Sequence, residues 1–447
     1  MAKDLSKGSI PVLLIKLALP AVFSLLGYTV NYFIDGIWIG RLGSKSLAAL
    51  APASFVLWII YSFMDIMAIG IVAVVSRYYG EKNFNQASET SQKVIQFTAI
   101  LSIVFLFAVL ILSKYIFLFI GVSSEVVNRG QIYLVIMAFA MPAFFIGEVF
   151  YGIFRASGDT TTPMKLTIAA VGCNMVLDPL LIFGLGPFPR LELAGAALAT
   201  VIGHYLALVW AFYKIRKGGI PFKVFASRIL PFDFSLIWKV AKVGIPISVS
   251  GVVFSVVYII LSKVAAPYGD FVVASFRVGQ LVESVSFMVC FGFGQAVASM
   301  VGQNLGAKLP KRAEKSAWTA IAIISTITFG FSFLFYFFAR PITSLFTNDP
   351  QMMAAAVYYL KIVALAQVMM GFEMVLEGVF SGAGDTVPPM IVSIIGTIIR
   401  IPLAMVFANM PGFGYTGIYW AITVSTIIKG VAIFIWFNVG KWKRKEI

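Results

Sequence analysis

Twelve long apolar stretches, separated by short polar turns, leave this chain few ways to fold. They run roughly over 11–40, 47–76, 92–113, 131–154, 163–185, 193–215, 236–265, 272–301, 316–339, 354–380, 388–408 and 414–438. About 20 apolar residues suffice for a helix to cross a bilayer. Several stretches exceed that, which permits tilt or a kink. Of the 447 residues, 60% are hydrophobic and 12% are charged, and the mean hydropathy is +0.94. Soluble domains run near 45–50% apolar. The expectation is therefore an all-α polytopic membrane protein with twelve transmembrane helices.

The chain repeats itself at an offset of 226 residues. KLALP at 16–20 returns as KVGIP at 242–246, and Gly80-x-Lys82 with Ala87 returns as Gly306-x-Lys308 with Ala313. Tyr133-Leu134 returns as Tyr359-Leu360, and SGDTTTPM at 157–164 as AGDTVPPM at 383–390. Apolar sequence produces chance matches easily, but not four in one register without a gap. Each half carries six spans, an even number, so both halves start on the same side. The repeat is parallel, with its pseudo-two-fold axis along the membrane normal and a cleft expected between two six-helix bundles. A polar connection from Arg216 to Asp233 divides the halves, giving expected domains of 1–222 and 223–447.

The net charge of +15 raises the question of nucleic acid. Its distribution answers it. On the side of the termini and the central connection, 23 Lys and Arg gather, against nine on the opposite side. This is the positive-inside bias of membrane loops, and it places both termini in the cytoplasm without any nucleic-acid partner. Lys3, Lys7 and Lys16 ahead of an apolar run resemble a signal sequence. The run continues past a signal's length and carries no A-x-A cleavage site, so it reads as a retained first span. Cys173 and Cys290 lie inside apolar runs and give no metal spacing.

Seven of the 19 acids fall inside the spans: Asp35, Asp65, Glu148, Asp178, Glu283, Glu373 and Glu377. An intramembrane carboxylate is costly and usually has a job. Asp35 closes the first span, with Tyr28, Asn31 and Tyr32 on the approach and Pro20 nearer the other end. Asn174 and Asp178 stand at i and i+4 and share a helix face. An amide oxygen and a carboxylate there suit a hard cation such as Na⁺, or a proton held in a hydrogen-bonded network. A polar helix–helix contact is the alternative. Glu373 and Glu377 are also i and i+4, with Glu283 a candidate to face them, and Glu148 is a candidate to line a cavity with Asp35. Arg400 and Lys429 lie within spans and are candidates to neutralise acids of the second half. His204 reads as a packed residue. Under the 226-residue offset, Pro20 pairs with Pro246. Asp35 pairs with Leu261, Asn174 with Arg400, and Asp178 with Ala404. The scaffold is duplicated and the acid cluster is not.

The strings D-G-I-W-I-G at 35–40, C-N-M-V-L-D-P at 173–179, G-A-A-L-A-T at 195–200 and R-A-S-G-D-T at 155–160 resemble multidrug and toxic compound extrusion (MATE) transporters. They are most similar to the prokaryotic branch related to the DNA-damage-inducible transporters. The resemblance covers nearly the whole chain. It implies a V-shaped antiporter exporting cationic or amphipathic small molecules in exchange for H⁺ or Na⁺. It implies no other cofactor and no enzyme activity, with a single chain at work in the plasma membrane. It also implies a cation site formed by Asp35, Asn174, Asp178 and Thr200, and a bend of the first span at Pro20. Tyr28, Asn31, Tyr32, Glu148, Glu283, Glu373 and Glu377 are candidates for the substrate cavity.

Two other functions were weighed. Flippases of lipid-linked sugars, in the same superfamily, would call for a more cationic cavity than these acids provide. An intramembrane protease would use Gly382-Ala383-Gly384-Asp385 as its G-x-G-D string. The counterpart at 156–159 and the flanking Pro163 and Pro389 instead mark both as short turns.

Overall fold

The computed structural model describes residues 4–120, 124–224 and 230–445. Lys3 of the N-terminal basic cluster lies outside them. The apolar runs become helices because a backbone in lipid must satisfy its own hydrogen bonds, and a helix does so within one segment. In chain order these are α1 (Ile10–Gly40), α2 (Ser44–Gly80), α3 (Phe84–Ile120), α4 (Ser124–Ala138), α5 (Met141–Ala156), α6 (Thr161–Phe183) and α7 (Leu193–Arg216). There follow α8 (Phe234–Ala265), α9 (Asp270–Gly306), α10 (Pro310–Phe337), the short α11 (Ala339–Ser344), α12 (Pro350–Ala364) and α13 (Gln367–Ala383). α14 (Val387–Ile398), α15 (Arg400–Asn409) and α16 (Thr416–Val439) complete the chain. Among the described residues no strand occurs.

Among the described residues ten spans are single stretches long and apolar enough to cross a membrane. Two bent pairs, α4 with α5 at 47° and α12 with α13 at 57°, pass the same test together, and with each pair taken as one span the number is the expected twelve. The surface agrees. α3 exposes Ile100, Ile103, Val104, Phe107, Ile111 and Leu112, an apolar stripe suited to lipid and costly in water.

The chain forms two compact units. One holds Phe23–Gly244 with the start of the chain up to Leu5, and the other holds Ser6–Val22 with Ile245–Ile447. Each first-span helix, α1 and α8, is thus divided near its proline, Pro20 or Pro246. Inside the units the 226-residue repeat governs the backbone. Gly43 and Gly269 both adopt positive φ (101° and 110°), as do Lys82 and Lys308 (58° each) and Gly158 and Gly384 (77° and 75°). At Gly158 and Gly384 the left-handed turn ends one helix and starts the next, which an L side chain would strain. After Gly158, Asp159 caps α6: its carboxylate accepts from the Thr161 and Thr162 N–H groups (3.0 Å each) and the Thr162 hydroxyl (2.7 Å).

The bends obey the same offset. At Phe139–Ala140 and at Leu365–Ala366 the backbone tightens to i→i−3 bonds: Phe139 to Ile136, Ala140 to Met137, Leu365 to Ile362 and Ala366 to Val363. Side chains reach carbonyls at the breaks. The Tyr205 hydroxyl donates to the Phe139 carbonyl (2.9 Å) and Ser332 to that of Ala364 (2.5 Å). The last helix of this kind breaks differently. α6 runs on through Pro179, but its counterpart divides into α14 and α15 next to Pro402, which has no N–H for the Ile398 carbonyl.

Candidate functional site

The site in the first unit is assembled by α1, α6 and α7. Glycines in α7 let α6 come close. A methyl on Gly195 would sit 2.6 Å from the Leu181 carbonyl oxygen, and one on Gly203 2.7 Å from that of Ala170. Small residues at such contacts are what allow membrane helices to approach. Between these two glycines lies Thr200, and its hydroxyl and the Asn174 side chain meet at 3.0 Å.

Asn174 is the hub. Its neighbours orient the carboxamide with the oxygen toward the Thr200 hydroxyl and the nitrogen toward the acids. The nitrogen then lies 2.9 Å from Asp35 Oδ1, 3.2 Å from Asp178 Oδ2 and 2.9 Å from Asn31 Oδ1. Asn31 in turn donates from Nδ2 to Asp35 Oδ2 (3.1 Å). Asp35 and Asp178 thus share the Asn174 amide as a common neighbour. Asp178 and Asn174 are buried, while Asp35 is partly accessible. Carboxylates are oxygen donors of the kind a hard cation takes, while in this orientation Asn174 turns its nitrogen to the acids and its oxygen to Thr200.

The remaining candidates of this unit fall into two groups. Tyr28 lies one turn along α1 from Asn31 and meets the Thr167 hydroxyl at 3.4 Å. Tyr151, buried on α5, lies beside both. Glu148 pairs with Arg155 at 3.5 Å, and the two act electrostatically on Asp65. Glu148 and Tyr28 thus belong to a second polar cluster, which adjoins the Asp35 site through α1. Tyr32 is 55% exposed and packs edge-on against Phe33. His204 is a packed ring: its Nδ1 meets the Thr200 carbonyl at 2.9 Å and its edge meets Phe144 at 4.3 Å between centroids.

In the second unit, Glu283 accepts from the Tyr359 hydroxyl (2.6 Å) and the Gln367 amide (3.3 Å), and Ser286 holds Gln367 from the other end (2.7 Å). Glu373 forms an ion pair with Lys429 at 2.7 Å, both side chains 5% exposed. Glu377, one turn on from Glu373, feels the same ammonium. Arg400 is held by hydroxyls. Here Lys429 does neutralise an acid of its own half.

Sequence reasoning passed over Arg155, Tyr151, Thr167, Ser286 and Gln367. Arg155 was visible as the first residue of R-A-S-G-D-T, but nothing local shows that its side chain turns back to Glu148.

The MatE family model matches residues 20–180 and, at the same 226-residue spacing, residues 246–406. The chain is 26% identical to a probable multidrug resistance protein NorM of Thermotoga maritima, covering 97% of this chain and 93% of the relative. It is 27% identical to the probable multidrug resistance protein YpnP of Bacillus subtilis (100% and 99%) and 27% identical to an FAD transporter of Shewanella oneidensis (94% and 93%). Its fold is similar to an outward-facing multidrug resistance MATE transporter of the MOP superfamily, with a TM-score of 0.92, 22% identity and 99% and 98% coverage. A MOP superfamily transporter from Pyrococcus furiosus gives the same values. The chain is a multi-pass membrane protein and belongs to the MatE family of transporters.

Proposed function

We propose that this protein is a secondary active efflux antiporter. It exports cationic or amphipathic compounds in exchange for H⁺ or Na⁺, by alternating access of its two halves, with Asp35, Asn174, Asp178 and Thr200 as the ion site. The observation that carries this reading is the convergence of Asp35 and Asp178, from helices far apart in sequence, on Asn174. Two acids gathered on one amide can take up and give up a proton, or hold a Na⁺ in its place. The relatives named as multidrug resistance proteins support the cargo class.

The energetics suffice without ATP. One charge crossing 100 mV carries about 2.3 kcal/mol, or roughly a 50-fold concentration ratio per ion. The excess of basic residues on the side of the termini supports a plasma-membrane protein with both termini in the cytoplasm. That all four proposed ion-site residues lie in one chain supports a monomer.

Proteoliposomes with separately imposed pH and Na⁺ gradients test the proposal, with ethidium as the cationic probe and FAD as a contrasting anionic one. Asp35→Asn and Asp178→Asn should each slow gradient-driven ethidium export by about tenfold or more, the equivalent of losing one bond to a charged group. Both should stay monodisperse in detergent. Full export by both variants would sink the reading.

A further inference from the structure

The repeat places α6 on α14 and α15, and with them Asn174 on Arg400. The same offset places Thr200 on Thr426. The side chains follow. Asn174 meets the Thr200 hydroxyl at 3.0 Å, and Arg400 Nη2 donates to the Thr426 hydroxyl at 3.1 Å. Arg400 is 2% exposed. Its other bonds go to Ser425 from Nε (2.7 Å) and to Tyr258 from Nη1 (3.1 Å), and it lies 5.4 Å from the Tyr258 ring and 5.8 Å from that of Phe254. Its hydrogen-bond partners among the described residues are thus hydroxyls, with Glu283 acting on it through space. The positions of the two carboxylates hold Leu261 and Ala404, both fully buried in the apolar core of the second unit.

We propose that Arg400 is a resident cation: it supplies permanently, at the repeat-related position of the second unit, the positive charge that a mobile ion brings to the first. This rests on the reading of Asp35 and Asp178 as the ion site. A guanidinium cannot be deprotonated inside a protein, so its charge answers neither pH nor Na⁺. Hydroxyls and ring faces suit it where carboxylates would suit an exchangeable ion. At this position the second unit keeps its charge through the cycle, whereas the first takes up and releases its ion. Arg400 is a positioning residue in this scheme, and its charge matters more than its hydrogen bonds.

Arg400→Lys and Arg400→Gln separate the two. In the ethidium assay, Arg400→Lys should keep a substantial part of wild-type export and Arg400→Gln should lose about tenfold, with both monodisperse. Equal losses, or better export by Arg400→Gln, would overturn the proposal. The combined Leu261→Asp, Arg400→Asn, Ala404→Asp variant should bind an additional ion, read on purified protein by radioactive sodium binding and by proton uptake with an indicator dye. A folded variant that binds no additional ion also overturns the proposal; if it does not fold, the Lys and Gln pair decides. Asp35→Asn is measured alongside. If it retains full ion binding, the first-unit reading fails; if it abolishes ion binding while Lys and Gln behave alike, only the resident cation fails.

Discussion

Single charges decide most of what is particular to this protein. The Lys429–Glu373 pair is buried on both sides, and its worth lies in being complete. Lys429→Met should leave the Glu373 carboxyl buried without its partner and destabilise the protein by about 3–5 kcal/mol, whereas Lys429→Met with Glu373→Met should cost far less. Thermal unfolding in detergent, followed by the loss of the monodisperse chromatographic peak, measures both. Asp233, just ahead of α8, sits outside the spans. The Leu236 N–H and the Lys93 ammonium (3.1 Å) hold its carboxyl below the usual carboxylate range. A carboxyl lowered in the folded state contributes stability above its unfolded pKa of about 3.9 and loses it as pH falls through the folded value. Asp233→Asn should therefore flatten the fall of unfolding temperature in the acid range below about pH 4 and lower the plateau near neutrality. An unchanged pH profile would show that the carboxylate is not coupled to folding.

Helix contacts and breaks set where those charges meet. Gly203 lies against the Ala170 carbonyl, so Gly203→Val must push α7 away from α6 and part Thr200 from Asn174. Overpacking of this kind costs about 1–3 kcal/mol. The expected result is a lower unfolding temperature together with weaker ion-dependent export, while Gly172→Ala, which has open space around it, should change neither. The bends after Ala138 and Ala364 were not legible in the sequence. Only the first has a proline nearby, Pro142, and the second has none, so local chemistry gives no common signal. What they share is the repeat, and the side chains that reach their carbonyls come from elsewhere in the chain.

On the scale of the whole molecule, the bias of Lys and Arg makes an orientation prediction. Green fluorescent protein fused after Ile447 should fluoresce in bacteria, and alkaline phosphatase fused there should be inactive; the reverse pattern would refute cytoplasmic termini. The sequence by itself determined the twelve spans and the duplication, because the length of an apolar run and a register without gaps are one-dimensional properties. It also marked Asp35, Asn174 and Asp178 as out of place in lipid. Tertiary structure alone decided which polar groups meet: Asp35 and Asp178 with Asn174, Glu148 with Arg155, Glu373 with Lys429. A buried charge must be satisfied, but many partners could satisfy it, and only helix packing selects one. The stretch that ends in Asp35 therefore announced a site, and the approach of α7 to α6 at Gly195 and Gly203 built it.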